Sequence, residues 1–109
     1  LAFCLNHLLL KSVWHPEWTE DYARSFMALK DAYLAGVAWE RAADVEARTA
    51  RLLPMLFLAR VDGKSPAEYL TEEADRAFVR AAAIQMIIEP PMNLSLLAEA
   101  YFSIAASRA

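Results

Sequence analysis

Cys4 and His7 are the side chains whose spacing comes nearest to a metal site. They lie three residues apart, so a helix would place both on one face. A structural zinc site needs four ligands, and the only other histidine of the chain is His15. We therefore predict no metal site, and we expect Cys4 to be a buried thiol on an apolar helix face.

His15, Glu17 and Asp21 are close enough in sequence to act as a base and its acidic partners. Acidic and polar side chains are also what the first turn of a helix favours, and this structural interpretation is preferred. Asn6 and His7 have the polarity to line a pocket, although a satisfied structural role is again the more common one for such residues.

Aromatic side chains recur at helical spacing after Pro16, and they define what we call the aromatic stripe: Trp18, Tyr22, Phe26, Leu29 and Tyr33. Such a stripe can stack on a flat ligand, but it is more often the core-facing side of a helix, which is the interpretation favoured here. If the chain has a substrate pocket, the candidate residues are Asn6, His7, Trp14, His15, Trp18 and Tyr22.

A turn is predicted at Asp62-Gly63, followed by a new helix start. Ser65 and Glu68 have the spacing of a capping box, with a proline at the first helical position. An ion pair between Arg60 and Asp62 is expected to fix the geometry of the turn. These residues are assigned structural roles: Arg60, Asp62, Gly63, Ser65 and Glu68.

Several classes of function are disfavoured by composition. With two glycines in 109 residues, no phosphate-binding Gly-rich loop can form, and we predict no cofactor bound by this chain alone. A net charge of −3 without a basic patch disfavours nucleic-acid binding. No apolar run approaches the ~20 residues of a membrane span, and a single cysteine suits a reducing compartment, so a cytoplasmic location is expected.

The periodicity of apolar residues predicts an all-α fold, a compact bundle of five to seven helices in a single domain over residues 1–109. Helices are expected over residues 1–14, 16–36, 39–53, 65–70, 72–88 and 94–107. Gly36 is expected to be a left-handed C-cap, and Asn93 to cap the last helix. Pro54 is expected to kink or break its helix, with a short continuation to Ala59.

The chain is more apolar than a typical soluble domain. The hydrophobic share is 58%, or about 56% if glycine replaces tyrosine in the count, against a usual 45–50%. Because a small domain has a large surface for its volume, part of that apolar surface is expected to meet a partner. We expect either a homo-oligomer or contact with a further N-terminal segment.

Two segments resemble the aminoglycoside phosphotransferase-like family of kinase-like enzymes. FCLNHLLLK at residues 3–11 is similar to the helix that follows the family's metal-binding acidic motif. ARVDGKSPAEYL at residues 59–70 is similar to a helix–turn–helix near the end of the family's C-terminal lobe. The resemblance covers essentially the whole chain and implies the helical, substrate-side part of that lobe.

The same resemblance implies that this chain is not catalytic by itself. A kinase-like enzyme needs a Gly-rich nucleotide loop, an anchoring Lys, a catalytic Asp and a metal-holding Asp, and the chain has none of them in context. ATP and Mg²⁺ would enter only with the missing family segments. Two alternatives stay open: a free-standing helical homodimerisation module, and a small-ligand-binding protein that uses His7 and His15.

Overall fold

A computed structural model describes residues 1–108, and these residues form five α-helices and one short 3-10 helix, with no strand among them. The helices are α1 (Ala2–Trp14), the 3-10 helix (Pro16–Trp18), α2 (Thr19–Ala35), α3 (Ala42–Asp62), α4 (Glu73–Ile88) and α5 (Leu94–Ala106). The prediction of an all-α bundle is confirmed.

The helices pack around a single apolar cluster to which every α-helix contributes. Helix α3 packs against α4 and α1, while α2 lies between α1 and α5. The largest fully buried side chains come from α1, α2, α3 and α5, with Leu70 from the segment before α4: Leu5, Leu9, Leu10, Phe26, Leu53, Phe57, Leu70, Leu94, Leu97 and Tyr101. Burial of these side chains is the main driving force for the fold.

A buried hydrogen-bond network joins the first helix to the last. The Tyr101 hydroxyl on α5 donates to the Leu9 carbonyl oxygen at 3.0 Å and lies 2.8 Å from the Ser12 hydroxyl. Ser12 also donates to Leu9 at 2.7 Å. Burial raises the pKa of Tyr101 far above its usual range, so the phenol stays neutral and hydrogen-bonded inside the core.

Two helix boundaries follow from sequence signals as expected. Pro16 ends the run of α1 and opens the 3-10 helix that leads into α2. Asn93 caps α5, because its side-chain oxygen accepts a hydrogen bond from the Leu96 amide at 2.8 Å. Glu46 of α3 adds a second acceptor to this helix start, 3.0 Å from the Leu94 amide.

Pro54 does not divide α3. The helix is continuous over its 21 residues, so the predicted break is wrong, and the expected short helix to Ala59 is the second half of α3. Proline lacks an amide hydrogen and removes one hydrogen bond from the helix interior. Leu53 and Phe57 are fully buried on either side of Pro54, and their packing holds the helix together across that gap.

The segment after α3 departs from the predicted capping box. Residues 63–72 form bends and turns rather than a helix, and Ser65 and Glu68 make no capping hydrogen bond in the described chain. The Ala67 amide instead donates to the Arg60 carbonyl oxygen at 2.8 Å, which folds the segment back onto the end of α3. The Ala67 amide is therefore not available to the Ser65 side chain, which would have capped a helix at this point.

Neither glycine adopts a left-handed conformation. Gly36 has φ −90° and ψ −4°, so the predicted left-handed cap is wrong. Gly63 has an extended conformation, and a glycine is needed there because a side chain would approach the backbone of α3 too closely. A Cβ at Gly63 would lie 2.4 Å from the Ala59 carbonyl oxygen, closer than real Cβ contacts come.

The aromatic stripe is not the core-facing side of α2. Phe26 alone is fully buried, whereas Trp18 is 49% exposed and Tyr33 is also an exposed side chain. The core-facing residues are Thr19, Phe26 and Lys30, with Tyr22, Ala23 and Met27 partly buried beside them. The Lys30 amine emerges from this face to reach the Ser95 hydroxyl at 3.0 Å.

Candidate functional site

Three of the candidate pocket residues come together where α1 meets the 3-10 helix. The ring centroids of Trp14 and His15 lie 4.3 Å apart, and those of His15 and Trp18 lie 4.5 Å apart. Tyr69 stacks on Trp14 at 4.6 Å, and the Lys11 amine lies 5.4 Å from the Tyr69 ring centroid. We call these five residues the aromatic cluster.

His15 and Glu17 pair as the sequence suggested they could. The His15 Nδ1 atom lies 3.0 Å from a Glu17 carboxylate oxygen. The carboxyl pKa of Glu17 is lowered, first by a hydrogen bond to its own backbone and then by His15. Asp21 pairs with Arg24 instead, so the three side chains do not form one acid–base unit.

Beside the aromatic cluster lies a surface cleft of about 540 Å³, which we call the Tyr69 cleft. Its walls are the end of α3 and the segment that follows it: Arg60, Lys64, Ser65, Pro66, Glu68 and Tyr69. The Arg60 Nε and the Tyr69 hydroxyl are buried and form no hydrogen bond within residues 1–108. The segment that forms one wall is anchored, since Ala67 within it and Leu70 directly after it are buried in the core.

The positive charge of Arg60 affects the pKa of both His7 and Tyr69. Burial lowers the pKa of His7, and the charges of Arg60 and Lys11 lower it further. Burial raises the pKa of Tyr69, while Arg60 acts in the opposite direction. His7 therefore favours its neutral form, and its ring packs edge-on against Phe3 at 4.8 Å.

Asn6 and Cys4 do not take the places expected of them. The Cys4 thiol is exposed, so the predicted buried thiol is wrong. Asn6 is fully buried, yet neither atom of its amide group finds a hydrogen-bond partner in the described chain. Residues 1–108 contain no group of three His, Cys, Asp or Glu side chains placed to share a metal ion.

The predicted ion pair between Arg60 and Asp62 does not form. Arg80 of α4 donates two hydrogen bonds to the Asp62 carboxylate, at 2.8 and 2.9 Å. The bond to Arg80 lowers the pKa of Asp62 below its usual value. This pair joins the end of α3 to α4, and it leaves Arg60 free to face the cleft.

An apolar groove runs between the start of α1 and the middle of α3, with a volume of about 500 Å³. It is lined by Leu1, Ala2, Val45, Arg48, Thr49, Arg51, Leu52 and Met55. Leu52 is 47% exposed and Met55 52% exposed, and the two lie on one side of α3. We call this surface the α1–α3 groove. Within the described range, no helix is both long enough and apolar enough to cross a membrane.

No match was found among protein-family models, curated proteins or solved structures. The resemblance to phosphotransferases therefore rests on residues 3–11 and 59–70 alone. These two segments lie side by side in the fold, with Lys11 of the first against Tyr69 of the second.

Sequence reasoning missed Lys11 and Tyr69 as members of a site, whereas Lys64 stood out with Arg60 and Asp62 as a charged group flanking the predicted turn. Tyr69 is distant in sequence from Trp14, and no periodicity within α1 or in residues 63–72 indicates that their rings stack. The sequence contains one signal: Arg60 flanks the predicted turn and has no acidic residue three or four positions away with which to pair.

Proposed function

We propose that this chain is a non-catalytic helical interaction domain that self-associates through the α1–α3 groove. The observation that carries the proposal is the groove itself, in which Leu52 and Met55 of α3 are exposed next to the start of α1. Soluble proteins rarely leave contiguous apolar surface bare, and such surfaces mark sites of interaction.

A second copy of the chain suits this groove because of its charges. In a two-fold dimer the same patch meets itself, so like charges within it would repel. The groove is mostly apolar, and its Arg48 is neutralised by two hydrogen bonds to Glu40 at 2.6 and 2.9 Å. Arg51 alone brings an unpaired charge to the lining, and its long side chain can extend to the rim.

Light scattering over a dilution series tests self-association. We expect a mass of about twice the 12.2 kDa monomer that falls toward the monomer on dilution. Leu52→Glu should make the chain monomeric, because it places a charge in the buried centre of the interface. Ile88→Glu is the matched control, since Ile88 is also an exposed apolar residue but lies outside the groove.

A monomer at every concentration would contradict self-association. If Ile88→Glu dissociated the oligomer and Leu52→Glu did not, the copies would be shown to meet through another surface. Circular dichroism of both variants should match that of the unchanged chain, because the substituted side chains point away from the core.

The juxtaposition of residues 3–11 and 59–70 favours a second candidate function. As the substrate-side part of a phosphotransferase lobe, the chain would use the same groove to meet an N-terminal segment that binds ATP and Mg²⁺. Co-expression with such a segment tests this candidate. Joint purification that Leu52→Glu abolishes would support it, and independent purification of the two pieces would contradict it.

A further inference from the structure

The cations that line the Tyr69 cleft have no carboxylate partner among the described residues. Most Lys and Arg side chains of the chain pair with carboxylates, as Arg24, Lys30, Arg48, Arg76, Arg80 and Arg108 do. Arg60 and Lys64 line the cleft and form no ion pair with the described residues. Lys11, at the edge of the aromatic cluster, is likewise without a carboxylate partner there.

We infer that the Tyr69 cleft binds the oxyanion group of a small molecule, such as a phosphomonoester or a carboxylate. Arg60 and Lys64 line one concave site and form no ion pair within residues 1–108, in a protein whose net charge is −3. A guanidinium and an ammonium held near each other repel, and an oxyanion between them relieves that repulsion while accepting charge-assisted hydrogen bonds.

The cleft is held ready for such a ligand. Arg60 belongs to the last turns of α3, and its carbonyl oxygen accepts the hydrogen bond from Ala67 that folds the following segment. Tyr69 is fixed by stacking on Trp14. Because the walls are positioned before binding, a ligand would not have to order them, which favours affinity.

The Glu68 carboxylate affects which anions the cleft is expected to bind. Its carboxylate lines the same cleft but makes no ion pair with Arg60 or Lys64. It opposes the binding of anions, but the cleft is lined by two cations and one carboxylate, so its net positive charge is expected to favour a dianionic phosphate over a carboxylate. Removing the Glu68 charge should therefore strengthen binding, a result that a merely structural role would not give.

The experiment is an NMR titration of ¹⁵N-labelled protein with phenyl phosphate, benzoate and inorganic phosphate. The Arg60 Nε–H signal reports directly on the cleft. We expect saturable shifts of this signal and of residues 64–69, with Lys64→Gln weakening phenyl phosphate binding about tenfold, as expected for loss of one charge-assisted hydrogen bond. Glu68→Gln should tighten binding.

Arg41→Gln is the matched control, because Arg41 is an exposed cation just before α3 that forms no ion pair with the described residues and lines neither the cleft nor the α1–α3 groove. It should leave the affinity for phenyl phosphate unchanged. Lys64 is exposed, so Lys64→Gln is expected to fold normally. No saturable shift with any of the three probes would overturn the inference, and so would equal weakening by Arg41→Gln and Lys64→Gln.

Discussion

Gly63→Ala and Gly36→Ala are the same substitution at the ends of two helices, and the structure predicts opposite effects. At Gly63 the new methyl group would lie 2.4 Å from the Ala59 carbonyl oxygen, whereas at Gly36 the nearest atom, the Tyr33 carbonyl oxygen, is 3.6 Å away. The first distance is a clash and the second is ordinary van der Waals contact.

The Ala59 oxygen cannot easily move away, because it accepts the hydrogen bond from the Gly63 amide at 2.8 Å in the last turn of α3. Overpacking of this kind typically costs about 1–3 kcal/mol. Replacing glycine lowers the entropy of the unfolded chain, which stabilises the folded protein by about 0.4–1 kcal/mol. The net expectation is that Gly63→Ala destabilises the protein by about 1–2 kcal/mol.

For Gly36→Ala only the entropic gain remains, because φ −90° and ψ −4° are accessible to alanine. Stability should rise by about 0.4–1 kcal/mol. Urea unfolding followed by circular dichroism measures both variants, at one protein concentration so that association does not differ between samples. If Gly63→Ala proves as stable as the unchanged chain, the close approach at the end of α3 is not the constraint described here.

Two further predictions concern polar side chains of α1. Asn6→Leu should stabilise the protein by about 1 kcal/mol, since the Asn6 amide is buried without a partner; a loss of stability in urea unfolding would show that the amide is satisfied after all. His7 has a lowered pKa in the folded protein, so the unfolded chain binds the proton first and stability should fall as pH drops below about 6.5. His7→Gln should remove that part of the pH dependence, measured as urea midpoints between pH 8 and 5.

Much of the fold could be predicted from local signals. Pro16 and Asn93 mark helix boundaries because their effects on the backbone act within one turn. The capping box at Ser65 and Glu68 failed because a hydrogen bond from Ala67 to Arg60 took precedence. The sequence shows the local preference for a helix start, but it does not show which backbone groups will form tertiary hydrogen bonds.

The choice of the buried face was the weakest part of the sequence-based prediction. Spacing identifies which residues of α2 share a face, but not which face meets α1 and α5. Trp18 and Tyr33 were placed in the core because of their helical spacing, whereas Lys30, a charged residue, is buried along its aliphatic chain. The Tyr69 cleft could not be predicted for a similar reason, since its residues come from α3 and from a segment without regular structure.

The contact between Tyr101 and α1 has a consequence for the order in which the chain can fold during synthesis. The partners Ser12 and Leu9 leave the ribosome long before Tyr101 does, because 89 and 92 residues separate them. Until α5 emerges, the nascent chain must carry the apolar side of α1 without its final cover. We therefore expect the N-terminal half to depend on chaperones, or on early collapse of α1 onto α2 and α3, before the last helix closes the bundle.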